Sequence, residues 1–394
     1  MKNEIYEKAK QNKEWLKTVR RTLHQNAETG FDLSKTVAFV KEQLRALGIA
    51  YKDCGKSGVI ATLGNKRKNW AILLRADMDG LPMYEDTGES YACKTGNMHA
   101  CGHDLHTTML LGAAKLLKEN EAILCGQVKL LFQPAEEILQ GATAVIEAGV
   151  LKNPAPQAAV ALHVSTATNL PTGTAVLSTR EISAPAADFF TIRIKGKACH
   201  GATPHKGVDA LLAAAQTVVG LQALSSREQE VDDPFILTIG KLSTGDAGNA
   251  IAQTAELNGT LRAYTEATRE RLKIRVKEIV EAQCKSIGAS VIVTFDGGCP
   301  TLKNDQTLVA QAKACVETLF GKEWLVTTDG RGGGSEDFAY ISQEIPSVLI
   351  VLSAGEKDKG YIYPLHHPKV RFDEDVLWRG SALFAQFACD YLKK

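Results

Sequence analysis

Through roughly the first 165 residues, short apolar runs alternate with longer amphipathic stretches. "KTVAFVKEQLRALG" has apolar residues at helical spacing and ends at Gly48, which predicts a helix closed by a glycine cap. "GVIATLG", "WAILLRAD", "VKLLFQ" and "AAVALHV" are short, continuous and bounded by turn or polar residues. Strands buried on both faces of a largely parallel sheet have this look. Between them "LHTTMLLGAAKLLKEN" predicts a helix with Leu105, Met109, Gly112 and Leu116 on one face.

From about residue 187 the rhythm changes. "DFFTIRIKGK" reads as a strand, "GVDALLAAAQTVVGLQAL" as a helix, and "FILTIGKLS" and "QTAELNGTLRAY" as strands. "EATRERLKIRVKEIVEAQCKS" then reads as a helix and "SVIVTFDG" as a strand. The order β-α-β-β-α-β is that of a ferredoxin-like α+β domain. After Gly298 the alternation of helix and strand resumes. The expectation is an α/β catalytic domain, residues 1–184 and 299–394, with a largely parallel sheet flanked by helices. An inserted domain, 185–298, would interrupt it.

Composition narrows the function classes. A chain of 394 residues exceeds one comfortable core, in line with two domains. Its 46 basic and 45 acidic residues nearly cancel, which gives no footprint for nucleic acid. No apolar run is long enough to span a membrane, and "MKNEIYEKAKQNKEWLKTVRR" lacks the apolar core of a signal peptide. Nine cysteines, an odd number scattered along the chain, point to reduced thiols in a cytoplasmic setting.

The chemistry concentrates first in "HACGHDLH", residues 99–106. Cys101 and His103 do not share a helix face and can converge on one ion only from a loop or an irregular helix start. Gly102 permits unusual dihedrals between them. Thiolate and imidazole both suit zinc-like ions, although a buried cysteine beside a polar helix start explains these residues equally well. In "LLFQPAEEI", Glu136 and Glu137 follow a strand and a proline, where ligands of open α/β sheets gather. Adjacent carboxylates there can divide labour, one holding a cation and the other taking a proton. Alone, such a pair is more often a solvated helix start. His163 ends "AAVALHV", where a hydrogen-bonded core histidine is the commoner case. His366 and His367 lie in "YPLHHPK" between Pro364 and Pro368. One cysteine, one glutamate and three histidines exceed the four ligands of a closed structural zinc site. They suit two ions sharing a ligand about 3.5–4 Å apart, with the second glutamate left as a base.

"RADMDGLP", "HACGHDLHTTMLLGAA", "FQPAEE", "LHV", "HGATPH", "GSEDFAY" and "LHHPKVRFDED" occur in that order. Together they resemble the metal-dependent amidohydrolases related to aminoacylase and bacterial carboxypeptidases. The subgroup resembled holds hippurate hydrolases, plant auxin-conjugate hydrolases, aminobenzoyl-glutamate hydrolase and N-acetyl-diaminopimelate deacetylase. The resemblance implies that Cys101, His103, Glu137, His163 and His366 ligate two divalent ions, zinc or manganese, with nickel or cobalt as alternatives. Cys101 would bridge them. His366 is preferred to His367 because the ligand of the family is the histidine of a His-x-Pro pattern. Glu136 matches the catalytic carboxylate. His200 of "CHGATPH" matches a histidine that crosses a dimer interface to polarise the scissile carbonyl, so the inserted domain would serve as lid and dimerisation element of a homodimer. Asn249 and Arg262 fall where relatives contact substrate.

One departure is visible. Many members of the wider superfamily have His-x-Asp where this chain reads Arg75-Ala76-Asp77, so His103 would replace a ligand, and Asp77 would orient a histidine or only shape a turn. His99, His106 and His205 read as supporting or structural. "GRGGGS" lacks the Gly-Lys-Ser/Thr ending of a phosphate loop but could offer amides to a carboxylate. The expected reaction is hydrolysis of an N-acyl or N-aroyl amino acid by metal-activated water, with Glu136 as base. The alternatives are a dipeptidase or carboxypeptidase, a binding homologue without catalysis, and Cys101 as a covalent nucleophile with His103 as its base.

Overall fold

The computed structural model describes residues 2–64, 67, 69–330 and 332–393. They form two compact units: 2–183, 303–330 and 337–393 in the first, 184–302 and 332–336 in the second. Residues 332–336 therefore pack with the inserted unit, although the sequence alone groups them with the C-terminal segment. The reason is local. Tyr264 Oη donates to Gly332 O at 2.8 Å, and Arg262 Nη1 donates to Gly333 O at 2.9 Å and Ser335 Oγ at 2.8 Å.

The first unit is built on a sheet with strand order 51–53, 59–63, 127–133, 71–77, 158–165, 347–353, 175–178 and 325–328. The four middle strands run parallel. Antiparallel pairings enter only at 51–53 with 59–63, 59–63 with 127–133, and 347–353 with 175–178. All seven residues of Ala71–Asp77 are buried, which is why the strand reads as one continuous apolar run ending in Arg75 and Asp77. Helix Ser34–Ala46 ends as its spacing predicts, with Gly48 at φ +66° and its N–H on Arg45 O.

Helix His103–Glu119 begins two residues before the apolar run suggests. It is buried nearly all round, because the sheet covers one side while helices Lys13–Gln25 and Val376–Leu392 cover the other. A Cβ on Gly112 would lie 2.1 Å from Ser381 Oγ, so the two helices approach this closely only without a side chain there. The helix is introduced by Gly102 at φ +91°, where a Cβ would sit 2.4 Å from Val164 Cγ2. Asp77, Gln133 and His163 all lie at or near the carboxyl ends of parallel strands, where open α/β sheets place their sites.

The second unit has a four-stranded antiparallel sheet in the order 235–244, 254–263, 186–195 and 290–299. Helices Ala210–Ala223 and Glu266–Ile287 cover one face through Ala213, Leu221, Leu272 and Val276 against Phe190, Ile192 and Leu257. Asp209 Oδ1 accepts from the Leu211 and Leu212 amides and starts the first helix; Thr265 Oγ1 accepts from Thr268 N and starts the second. The chain order strand-helix-strand-strand-helix-strand gives the ferredoxin-like arrangement. No helix among the described residues is long and apolar enough to cross a membrane.

Candidate metal centre

The centre lies in the first unit, where three loops and the end of one parallel strand converge. The loop before helix His103–Glu119 delivers Cys101 and His103, and the turn after strand 127–133 delivers Glu136 and Glu137. Strand Ala158–Ser165 supplies His163, and the loop at 364–368 supplies His366. The turn after Gln133 is tight: Ala135 and Leu139 have φ of +56° and +54°, and a Cβ on Gly141 would overlap Pro134 O. That geometry turns Glu136 and Glu137 back toward the strand ends.

Potential ligand atoms of Cys101, His103 and His163 lie within 4.8 Å of one another, as do those of Cys101, Glu137 and His366 and those of His103, Glu136 and Glu137. Cys101 takes part in two of these three groups. Its Sγ is 3.6 Å from His163 Nε2, and His366 Nε2 is 3.7 Å from Glu137 Oε2. His163 Nδ1 donates to Val164 O at 2.7 Å, which leaves the lone pair of Nε2 facing the thiol. His367 turns the other way, stacking on Tyr363 at 4.4 Å and accepting the Lys369 amide.

His103 is completely buried. Its Nδ1 lies 3.4 Å from Asp79 Oδ1, off the angle of a normal hydrogen bond. Its Nε2 faces Asp77 at 3.8 Å and Glu136 and Glu137 at 3.9 Å each. A buried imidazole nitrogen ringed by carboxylates beyond hydrogen-bond reach costs about 1–3 kcal/mol, and a coordinated cation offsets that cost. The donor set fits as well: sulfur, imidazole and carboxylate are all zinc ligands, the carboxylates also suit manganese, and the acidic groups exceed the cations nearby.

The electrostatics follow from burial and close charges. Burial raises the Cys101 thiol far above its ordinary range, with His103 opposing. Burial would lower His103, yet Asp77 and Cys101 outweigh it and hold the ring well above its ordinary value. Burial would raise Asp77, but His103, Arg75 and His106 together hold it well below. His366 is lowered, by burial first and His103 second.

Further residues support this set, among them Asp79, Gln133 and Asp337, which the motifs did not single out. Asp79 accepts the backbone N–H of Glu136 at 3.0 Å and of Glu137 at 3.2 Å while facing His103. His106 donates from Nδ1 to Asp77 Oδ1 at 2.6 Å and accepts Val164 N at Nε2 at 2.9 Å, so both nitrogens are engaged within the protein. Asp77 accordingly orients a histidine. Arg75 donates to Gln133, Asp77 and Asp337. The readable signal was slight: Asp79 stands two residues after Asp77, and Asp337 stands inside "GSEDF".

His99 is buried, and burial lowers it to about 4. The remaining expected site residues lie in the second unit. His200 is exposed and pairs with Ala250, its Nδ1 accepting Ala202 N at 3.0 Å; Asn249 O accepts Gly201 N at 2.8 Å. Arg262 holds the glycine-rich loop, and His205 is exposed in a short 3-10 turn.

Residues 73–390 match the family described as Peptidase family M20/M25/M40. IAA-amino acid hydrolase ILR1-like 2 of Arabidopsis thaliana is 38% identical over 387 residues, covering 97% of this chain and 86% of its own length. N-acetyl-L-cysteine deacetylase of Bacillus subtilis is 37% identical over 366 residues, 92% of this chain and 85% of its own. Among solved structures, a dinuclear metal-binding peptidase of the M20 family from Bacillus subtilis superposes with a TM-score of 0.81 at 31% identity, over 98% of this chain and 99% of that one.

Proposed function

The chain belongs to peptidase family M20/M25/M40 and is a metal-dependent amidohydrolase; on that premise we propose that it hydrolyses N-acyl or N-aroyl amino acids to a carboxylic acid and an amino acid. The observation that carries this reading is the convergence of Cys101, His103, Glu137, His163 and His366 beside Glu136. Both relatives named above act, by their names, on compounds of an amino acid, and the similar solved structure is of a dinuclear enzyme.

Two divalent ions, zinc or manganese, with nickel or cobalt as alternatives, would be held by Cys101, His103, Glu137, His163 and His366, with Cys101 shared. When bound, such ions supply Lewis acidity and lower the pKa of water from about 15.7 toward 7. The protein's own part falls to Glu136. It takes a proton from the attacking water as the oxygen bonds to the carbonyl carbon. It then returns that proton to the amine nitrogen as the C–N bond breaks. His200, carried across the interface of a homodimer, is assigned to the carbonyl oxygen, where one well-placed donor contributes about 3 kcal/mol. Asn249 is assigned to substrate contact, and Arg262 or the amides of the glycine-rich loop to the substrate carboxylate. Arg262 uses Nη1 on the loop, so its remaining N–H groups are the ones offered to substrate. The cysteine usage supports a cytoplasmic setting.

A panel of N-acetyl and N-aroyl amino acids, set against dipeptides with manganese or zinc supplied, tests the reading. Acyl amino acids should be cleaved faster, activity should vanish on chelation, and added metal should restore it. Faster release from dipeptides would make it a peptidase. Activity that survives chelation but not iodoacetamide would make Cys101 the nucleophile, and no cleavage at all would leave a binding protein.

A further inference from the structure

Behind Glu136 lies a buried polar cluster that none of the assigned roles uses. Asp337, fully buried, precedes helix Phe338–Glu344. Its Oδ1 accepts from Arg75 Nη2 at 2.9 Å and from Gln133 Nε2 at 2.7 Å, and its Oδ2 accepts the Ala142 amide at 2.8 Å. Gln133 is fixed in turn, because its Oε1 accepts from Arg75 Nε at 3.0 Å. The parallel strands 71–77 and 127–133 put Arg75 opposite Leu131 and Asp77 opposite Gln133, so the guanidinium reaches both the amide and the acid. On the other side of the same residue, the Asp337 backbone N–H donates to Glu136 Oε1 at 3.3 Å.

We propose that Asp337 is a positioning residue for Glu136: its carboxylate, pinned by Arg75, Gln133 and the Ala142 amide, holds its own backbone N–H against Glu136 Oε1. The inference rests on Glu136 being the base. Glu136 sits within a turn, between the left-handed residues Ala135 and Leu139, and a carboxylate on such a segment needs an external tie to keep one orientation. The Asp337 amide fixes Oε1, which leaves Oε2, 3.9 Å from His103 Nε2, toward the cluster of ligand atoms. The acid at 337 is required by donor count. Three donors converge on two oxygens, and an asparagine would turn an N–H toward one of them. Asp337 shares a carboxylate cluster with Glu136 and Glu336 but is absent from the groups that contain Cys101 or His103, and the two oxygens of its carboxylate are taken by Arg75, Gln133 and the Ala142 amide, so its loss should leave ion binding at Cys101 and His103 intact.

The test compares Asp337→Asn, Glu136→Gln and the double variant, with kcat and KM on the best acyl amino acid and calorimetric titration with manganese or zinc. Asp337→Asn should lower kcat about 10–100-fold, as loss of an outer orienting partner does. KM should stay within about twofold and the number and affinity of bound ions should not change. In the Glu136→Gln background the same change should add less than about twofold, because the two residues act as one unit. Wild-type kcat in Asp337→Asn overturns the proposal, as does a loss confined to KM or to ion affinity, or full additivity in the double variant. Should Asp337→Asn not fold, Gln133→Met removes one of the three ties. It should then show a smaller kcat loss with KM and ion binding unchanged, and no kcat loss overturns the proposal. Normal turnover in Glu136→Gln would instead sink the assignment of the base itself, so the two failures are distinguishable.

Discussion

At the scale of single residues, His163 and His106 show how one hydrogen bond decides what the other ring nitrogen can do. Both face the centre from neighbouring elements, but the first keeps a lone pair toward Cys101 while the second has both nitrogens engaged. A third histidine belongs to a different buried network. His24 lies between two carboxylates, with Nδ1 2.8 Å from Asp104 Oδ2 and Nε2 3.0 Å from Glu85 Oε2, while Arg20 Nε donates to Asp104 at 2.7 Å. Burial and Arg20 would lower His24, yet Asp104 and Glu85 outweigh them and raise it. Burial would raise Glu85 and Asp104, but Glu85 is lowered by His24 and Asp104 by Arg20 and His24. A raised histidine contributes stability that is complete below its unfolded value of about 6.5 and is lost as pH rises through the folded value. The depressed carboxylates contribute above about pH 4 and lose that contribution as pH falls through their folded values. Wild type should therefore exceed His24→Gln in stability by about 3 kcal/mol near pH 5–6, and the gap should narrow toward pH 9. Thermal unfolding of both proteins across that range checks it, and a gap independent of pH contradicts the charge assignment.

At the scale of elements, the helix at the heart of the first unit is set by a close approach. Gly112→Ala should destabilise by about 1–3 kcal/mol, since the added methyl meets Ser381 Oγ at 2.1 Å and Leu16 Cδ2 at 2.8 Å. Pairing it with Ser381→Gly should recover part of the loss in thermal unfolding, and an unchanged melting temperature in Gly112→Ala would contradict the packing described. This helix also marks where the sequence is readable and where it is not. The apolar runs at 59–63, 71–77, 127–133 and 158–165 are strands because burial on both faces leaves an uninterrupted apolar signal. The start of the helix is two residues earlier than its apolar pattern because His103 and Asp104 are polar yet buried, and periodicity sees only hydrophobicity. The candidate ligands could be gathered from ordered motifs. The residues that hold them could not, since Gln133 and Asp337 are 204 positions apart and meet only through the sheet. The grouping of 332–336 with the inserted unit was hidden for the same reason, because it depends on three hydrogen bonds from Arg262 and Tyr264.

At the scale of the whole molecule, the architecture gives each unit its own core and places Cys101, His103, Glu137, His163 and His366 in the first of them. Parallel strands end together, so loops more than 260 residues apart in the chain, at Cys101 and His366, deliver side chains to one place. That shared end explains how weak local signals combine into one cluster, in which five side chains are the candidate cation ligands and Glu136 is the proposed proton carrier. The most direct measurement is a calorimetric ion titration of Glu136→Gln run beside its turnover of an acyl amino acid. Two ions should bind per chain as in wild type, while turnover falls by about 10²–10⁴. Wild-type turnover, or loss of an ion with the base, would contradict the division of labour between Glu136 and its neighbours.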